Sequence, residues 1–210
     1  MYDLEEQEQI DSLKAWWKQY HRWVIGLLLG TALVGGCYRG WVYYQDRQMA
    51  EAGQRFEVIR EAARAADPGK ALAAAQQLEN EQPGSGMASR GALMAAAVCH
   101  EHGRVGDVLS QLTWVEQHSK EPPLIELARL RAAGQLSEQK RYDEALHQLD
   151  ANHDPQFLGL TLDLRGDILL ALGRMAEARA AYQGAVDKSS PMDALHQLAQ
   201  IKWEALGGKR

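Results

Sequence analysis

Cysteine is nearly absent. Cys37 lies in an apolar N-terminal stretch and Cys99 in the polar body, so the pair offers no disulfide framework. Cys99, in Ala95-Ala96-Ala97-Val98-Cys99, reads as a small core residue. Phenylalanine occurs twice, and β-branched residues rarely run together, while alanine and leucine are frequent. That balance favours helix over sheet. Proline is sparse too, with 6 residues, each at a break between helical stretches. No Lys/Arg run forms a basic face, and the formal net charge is −5. Nucleic acid is thereby excluded as the main partner, because phosphate binding needs clustered cations. The length of 210 residues allows one domain, or one domain and an anchor.

One long apolar run is present. Residues 23–38, from Trp23 through Gly30 and Leu33 to Tyr38, carry no charge. Sixteen residues rise only ~24 Å as a helix, short of a ~30 Å hydrocarbon core. Beyond Arg39 the apolar character resumes as Gly40-Trp41-Val42-Tyr43-Tyr44. An arginine near a helix end can snorkel to the headgroups, so the expected span is residues 21–44. Trp16, Trp17 and Trp23 before it, and Arg39, Trp41, Tyr43 and Tyr44 near its end, are the expected membrane-interface residues. Val34-Gly35-Gly36-Cys37 resembles a lipobox, which would make the chain an envelope lipoprotein. Against this, the preceding region carries Asp3, Glu5, Glu6, Glu8 and Asp11, unlike a positive n-region. A permanent anchor is the better reading.

Charge does not orient the span. Lys14, Lys18 and Arg22 precede it; Arg39, Arg47, Arg55, Arg60 and Arg64 follow. The positive-inside rule does not favour a cytoplasmic N-terminus, yet a long domain translocates largely regardless of charge. Residues 1–20 form a tail in which Ile10, Leu13, Trp17 and Tyr20 recur at helical spacing, predicting a short amphipathic helix.

Residues 45–210 read as helices broken at Asp67-Pro68-Gly69, Gln82-Pro83-Gly84, Gly103, Glu121-Pro122-Pro123, Lys140, Asp154-Pro155, Gly173 and Ser190-Pro191. Period-2 alternation is not sustained anywhere, so no sheet is expected. The breaks repeat. Gly103-Arg104-Val105-Gly106-Asp107-Val108 matches Lys140-Arg141-Tyr142-Asp143-Glu144-Ala145 and Gly173-Arg174-Met175-Ala176-Glu177-Ala178. The blocks start 37 and 33 residues apart, near the ~34-residue period of a tetratricopeptide repeat. A weaker copy ends in Lys70-Ala71. Asp107, Glu144 and Glu177 fall in the first turn of each second helix, facing the positive end of its dipole. The small residue next (Val108, Ala145, Ala178) admits close packing, and Leu112, Leu149 and Tyr182 a turn later fill the gap. Such hairpins stack, because one alone cannot bury its apolar face. The expected fold is therefore all-α: an N-terminal transmembrane helix, then a TPR-like helical-repeat domain (an α-solenoid) closed by a cap from Met192 to Leu206.

No catalytic constellation emerges, and no cofactor or metal is expected. Gly103-Arg104-Val105-Gly106 follows no strand and lacks the Gly-Lys-Ser/Thr of a nucleotide loop. His100 and His102 point to different sides of a helix and have no third ligand nearby, so they read as surface histidines. A stacked repeat does offer a concave face lined by first helices. Registering the three repeats places Arg90, Leu93, Ala97, His100, Leu127, Leu130, Gly134, Leu160, Asp163 and Asp167 there as a partner-binding groove. Plain core packing is the alternative for the apolar members. The lining has no Lys/Arg cluster for an acidic tail; a mixed apolar groove suits extended, unfolded or helical segments.

The whole chain resembles a family. An acidic tail, Glu5-Glu6-Gln7-Glu8-Gln9-Ile10-Asp11-Ser12-Leu13-Lys14-Ala15-Trp16-Trp17, leads into a glycine-rich span ending Gly40-Trp41-Val42-Tyr43-Tyr44. The last third holds Asp163-Leu164-Arg165-Gly166-Asp167-Ile168-Leu169 and Ala178-Arg179-Ala180-Ala181-Tyr182. These features are similar to those of the YfgM family, ancillary subunits of the bacterial SecYEG translocon. The resemblance implies a single-pass inner-membrane protein with a cytoplasmic N-terminus and a periplasmic repeat domain. It also implies association with SecYEG and the membrane-anchored chaperone PpiD, assistance to translocated or unfolded envelope proteins, and no catalytic residues.

Overall fold

The computed structural model describes residues 2–151 and 154–208, with side chains from residue 14 onward apart from those of residues 15, 24 and 48. Ile10 and Leu13 of the expected amphipathic tail lie outside the described side chains. Among the described residues the chain is helical and without strands: α1 (Tyr2–Arg64), α2 (Pro68–Glu81), α3 (Gly86–Glu101), α4 (Val105–His118), α5 (Pro122–Glu138), α6 (Tyr142–Asp150), α7 (Leu158–Ala171), α8 (Met175–Lys188) and α9 (Ala194–Ala205). Two compact units emerge, residues 1–51 and 52–210.

The first unit holds the one helical stretch, among the described residues, long and apolar enough to cross a membrane. Trp23, Leu27, Leu28, Leu29, Leu33, Val34 and Tyr38 are all well exposed, as expected of a helix meant for lipid rather than for a protein core. Thr31 returns its hydroxyl proton to the Leu27 and Leu28 carbonyls, 3.0 Å each, so it presents no free donor to that surface.

In the second unit, first and second helices alternate. The end of α1 packs on α2 through the cluster of Ile59, Ala62, Ala71, Ala75 and Leu78, while α3 pairs with α4, α5 with α6 and α7 with α8. Each first helix stops on a left-handed residue: Ala66 (φ 50°), Gly103 (68°), Lys140 (61°) and Gly173 (76°). The following N–H then reaches back to the carbonyl five residues earlier, as in Arg104 to Cys99, Arg141 to Leu136 and Arg174 to Leu169, each at 2.9 Å. The left-handed residue bonds to the carbonyl three back, completing a Schellman stop. Gly207 (φ 81°) ends α9 by the same pair of bonds. The five stops follow one another at 37, 37, 33 and 34 residues. The expected cap is therefore shaped as the first helix of a further hairpin; it begins at Ala194, after Asp193 takes the N-cap.

The second helices also share a start. Arg104, Arg141 and Arg174 hold the N-cap with nearly the same backbone angles, φ near −84° and ψ near 60°. Each reaches the acid three residues on: Nε lies 2.6 Å from Asp107, 2.7 Å from Glu144 and 2.8 Å from Glu177. The acids were expected at the helix dipole; the arginine that neutralises each was not. These pairs are solvent-facing, so each adds little to stability and mainly fixes the turn. In α2, Asp67 takes this position and accepts the Lys70 N–H at 3.0 Å, with Pro68 opening the helix.

Packing between paired helices follows a size exchange. Ile59 packs with Ala75, Ala96 with Leu112, Ala133 with Leu149 and Gly166 with Tyr182, at equivalent points of four hairpins. All of these are buried. A large residue on one helix always meets a small one on the other, which keeps the interior volume near constant. At Gly166 the Tyr182 ring lies where a Cβ would stand, so only glycine fits beneath it.

Candidate partner-binding groove

The first helices α3 and α5 run side by side in the same direction. His100 Nδ1–H donates to Gln135 Oε1 at 2.8 Å, and Arg131 Nη1–H points to the Leu93 carbonyl at 3.4 Å. Between them opens a pocket of about 340 Å³. Ala96, Val108 and Leu112 line its base, and Ala97, His100 and Gly134 its sides. Three residues assigned to a groove from sequence register thus meet at one cavity. Gly134 leaves open space where its Cβ would be, so the cavity is not closed by its own wall. The volume falls within the range of small ligand sites, enough for one or two side chains.

The other sequence-assigned groove residues have different surroundings. Leu93 is buried, and with Leu127 it packs into the core cluster of Ala92, Ala96, Val115 and Ala128. Leu130 lies against the next cluster, formed by Ala133, Leu136, Leu149 and Ile168. Arg90 grips Glu121 at the start of α5 through two bonds of 2.7 and 2.8 Å. That guanidinium holds the Glu121 carboxyl below its ordinary pKa. Leu160 is exposed on α7.

Asp163 and Asp167 face Lys202 of α9. Its ammonium lies 2.9 Å from Asp163 Oδ2 and 2.8 Å from Asp167 Oδ1, and 5.4 Å from the Tyr182 ring centroid. Tyr182 donates its hydroxyl proton to Asp167 at 2.7 Å. Burial pushes the Asp163 carboxyl above its ordinary pKa despite Lys202, which opposes that shift. The two acids therefore bind the cap helix to the last hairpin. Sequence register had no means of finding Lys202, since it lies 39 residues from Asp163.

On the opposite face, Arg129 of α5 is fully engaged: Nε bonds Glu116 of α4 at 2.9 Å and Nη1 the Ala151 carbonyl at 2.7 Å. One repeat earlier, 37 residues back, Glu79 stands where Glu116 does, but Ala92 replaces the arginine. Glu79 is 7% exposed and Gln111 beside it 2%; among the described residues the Oε1 atom of each has no hydrogen-bond donor. Burial raises the Glu79 pKa, opposed by Gln111 and by His118.

In the first unit, Trp16, Trp17, Trp23, Trp41, Tyr43 and Tyr44 are all exposed on α1, as is Arg39. Trp23 and Trp41 stand 18 residues apart, about 27 Å along a helix, close to a hydrocarbon thickness.

Comparison with known proteins agrees with this architecture over nearly the full length. A family described as a tetratricopeptide repeat-like domain matches residues 14–208. A protein of Neisseria gonorrhoeae named ancillary SecYEG translocon subunit is 31% identical across 97% of this chain and 98% of its own length. The chain belongs to the YfgM family of ancillary SecYEG translocon subunits. Proteins of that name from Escherichia coli and Haemophilus influenzae are 26% and 25% identical, each over at least 94% of both chains.

For a YfgM-family chain the groove is partly unforeseen. Arg131, Gln135 and Glu138 line the pocket beside the residues expected there. Arg131 lies four residues after Leu127 and three before Gly134, so helical spacing could have placed it on that face. His100 and His102 sit at the surface as expected, His102 donating to the Val98 carbonyl at 2.8 Å. Cys99 is wholly buried, and burial pushes its thiol pKa up.

Proposed function

We propose that this protein is a non-catalytic accessory subunit of the Sec translocon. Its N-terminal helix anchors it beside SecYEG through a span at residues 21–44, with Trp16, Trp17, Trp23, Arg39, Trp41, Tyr43 and Tyr44 at the membrane interfaces. The tail of residues 1–20 stays in the cytoplasm and residues 45–210 form a periplasmic repeat domain. That domain links the translocon to a PpiD-like chaperone and receives translocated polypeptides on its concave face. The observation that carries this reading is similarity to ancillary SecYEG translocon subunits running through the anchor and the repeats together, not through the repeats alone. The open pocket between α3 and α5 supports a binding role for the concave face.

The test is affinity purification of the full-length protein from mild detergent, with the translocon subunits and the PpiD-like chaperone quantified. Enrichment of both is expected. Recovery of neither, with the protein still helical, overturns the proposal; recovery of SecYEG alone removes the chaperone link. Protease protection on sealed inner-membrane vesicles checks orientation: a fragment of about the repeat domain's size should survive in inverted vesicles.

A further inference from the structure

The pocket between α3 and α5 is electrically lopsided. Glu101 and Glu138 line it where both helices end. Arg131 lines it seven residues earlier on α5, about 10 Å away along the helix. Arg131 forms no ion pair among the described residues; its one bond is the 3.4 Å approach to the Leu93 carbonyl. Arg129, two positions earlier, shows what a satisfied guanidinium looks like in this domain, with a carboxylate at 2.9 Å and a carbonyl at 2.7 Å. Arg90, expected at the groove from sequence register, is already occupied by Glu121. The neighbouring protein atoms draw the Arg131 pKa below its ordinary value, and among the described residues no acid opposes that shift. Arg131 is exposed overall, but its guanidinium stands beside an apolar cavity without a counter-charge among the described residues, so it can receive one carboxylate and one apolar group together. At the other end, His100, Gln135 and Glu138 already satisfy one another: His100 donates to Gln135 Oε1 at 2.8 Å and Gln135 Nε2–H donates to Glu138 at 3.0 Å. A carboxylate placed there meets two acids.

We infer that this pocket recognises an extended polypeptide segment through an apolar side chain seated over Ala96, Val108 and Leu112, with an adjacent Asp or Glu side chain on Arg131. The inference rests on the reading that the concave face takes polypeptide, and it adds what that face selects. Basic-flanked apolar segments are disfavoured, because they would set a cation beside Arg131. One aligned charge-assisted contact of this kind is worth about tenfold in affinity.

The probe is a set of dye-labelled Gly/Ser decapeptides, amidated at the C-terminus, each with one central Leu or Ser. The residue two before it is Asp, Asn or Lys. Binding to the full-length protein in detergent is read by fluorescence anisotropy. The Asp/Leu peptide is expected to bind about tenfold tighter than Asn/Leu and tighter still than Lys/Leu, with Asp/Ser weakest. Arg131→Gln should erase the Asp preference, and Arg131→Glu should invert it toward Lys. Ala97→Phe, which fills an exposed side of the pocket, should weaken all Leu peptides alike. Equal binding of Asp/Leu and Lys/Leu, or a preference that survives Arg131→Glu, overturns the inference and leaves the concave face as a polypeptide site. Absence of binding by every peptide, or binding indifferent to Ala97→Phe, overturns both.

Discussion

The size exchange between paired helices predicts a compensated pair of mutations. Gly166 lies under the Tyr182 ring, with ring atoms Cδ1 and Cζ at 2.6 and 2.8 Å from where a Cβ would be and Cε1 closer still. Gly166→Ala forces the ring outward and strains its hydroxyl bond to Asp167, 2.7 Å in length. Overpacking of this sort costs about 1–3 kcal/mol, and alanine returns about 1 kcal/mol of helix propensity, so a net loss of about 0–2 kcal/mol is expected. Tyr182→Leu removes the ring and the hydroxyl bond, at about 2 kcal/mol. Together the two changes recreate Ala133 with Leu149, the pair one hairpin earlier, where both residues are buried without difficulty. The double variant should be no less stable than Tyr182→Leu alone, a coupling of at least about 1 kcal/mol. Urea unfolding of the detergent-solubilised protein, followed by far-ultraviolet circular dichroism, measures all four corners of the cycle. Losses that add to within about 0.5 kcal/mol would refute the idea that the two positions trade volume.

Other consequences follow from charges and backbone. Because burial raises the Glu79 pKa above 4.5, the folded state holds that proton more tightly than the unfolded chain. Its contribution is therefore favourable at low pH and is lost as pH rises from the ordinary carboxyl range through the folded value. Glu79→Gln should flatten this dependence and stabilise the protein at neutral pH by about 1–3 kcal/mol; a variant less stable than wild type in thermal unfolding at pH 7 contradicts it. Lys202→Ala leaves two acids facing one another without their cation, so a loss of about 1–3 kcal/mol is expected, seen as a lower unfolding midpoint and earlier proteolysis of α9. Lys140 holds a left-handed conformation that costs a side chain about 1–2 kcal/mol, part of which glycine recovers. Lys140→Gly should raise stability by about 0.5–1 kcal/mol, whereas Gly103→Ala, at φ 68°, should lower it by a similar amount; equilibrium unfolding of each variant decides.

The helical breaks were legible because glycine and proline mark them. Pro68 and Pro122 open helices, while Gly103 and Gly173 close them. Ala66 and Lys140 adopt the same left-handed stop without the residue type that announces it, so equivalence there rests on position alone. The first hairpin was hard to register for a related reason: Ile59 and Ala75 reverse the small–large order that Ala133–Leu149 and Gly166–Tyr182 follow. Ala97, His100 and Gly134 could be brought to one pocket because each sits in a repeat whose turn was already aligned. Lys202 could not, since Gly207 is followed by Gly208 and not by the arginine that follows Gly103, Lys140 and Gly173. The exposure of Leu27 and Leu33 follows directly from an uncharged run, but no pattern within one helix reveals that Arg129 is matched by Glu116 while Glu79 has no such partner.

That mismatch sets an order of opening along the array. In stacked hairpins each unit is held by its neighbours, so local unfolding begins at the joint with the least favourable contact. The joint between α4 and α5 is clasped by Arg129, whereas α2 brings to its neighbour a buried acid where Ala92 stands in place of the arginine. Backbone amides of α2 should accordingly exchange with solvent at lower protection than those of α5. The exchange rate of that first hairpin should rise with pH more steeply than chemistry alone dictates, because each proton lost from Glu79 loosens the joint that keeps it closed.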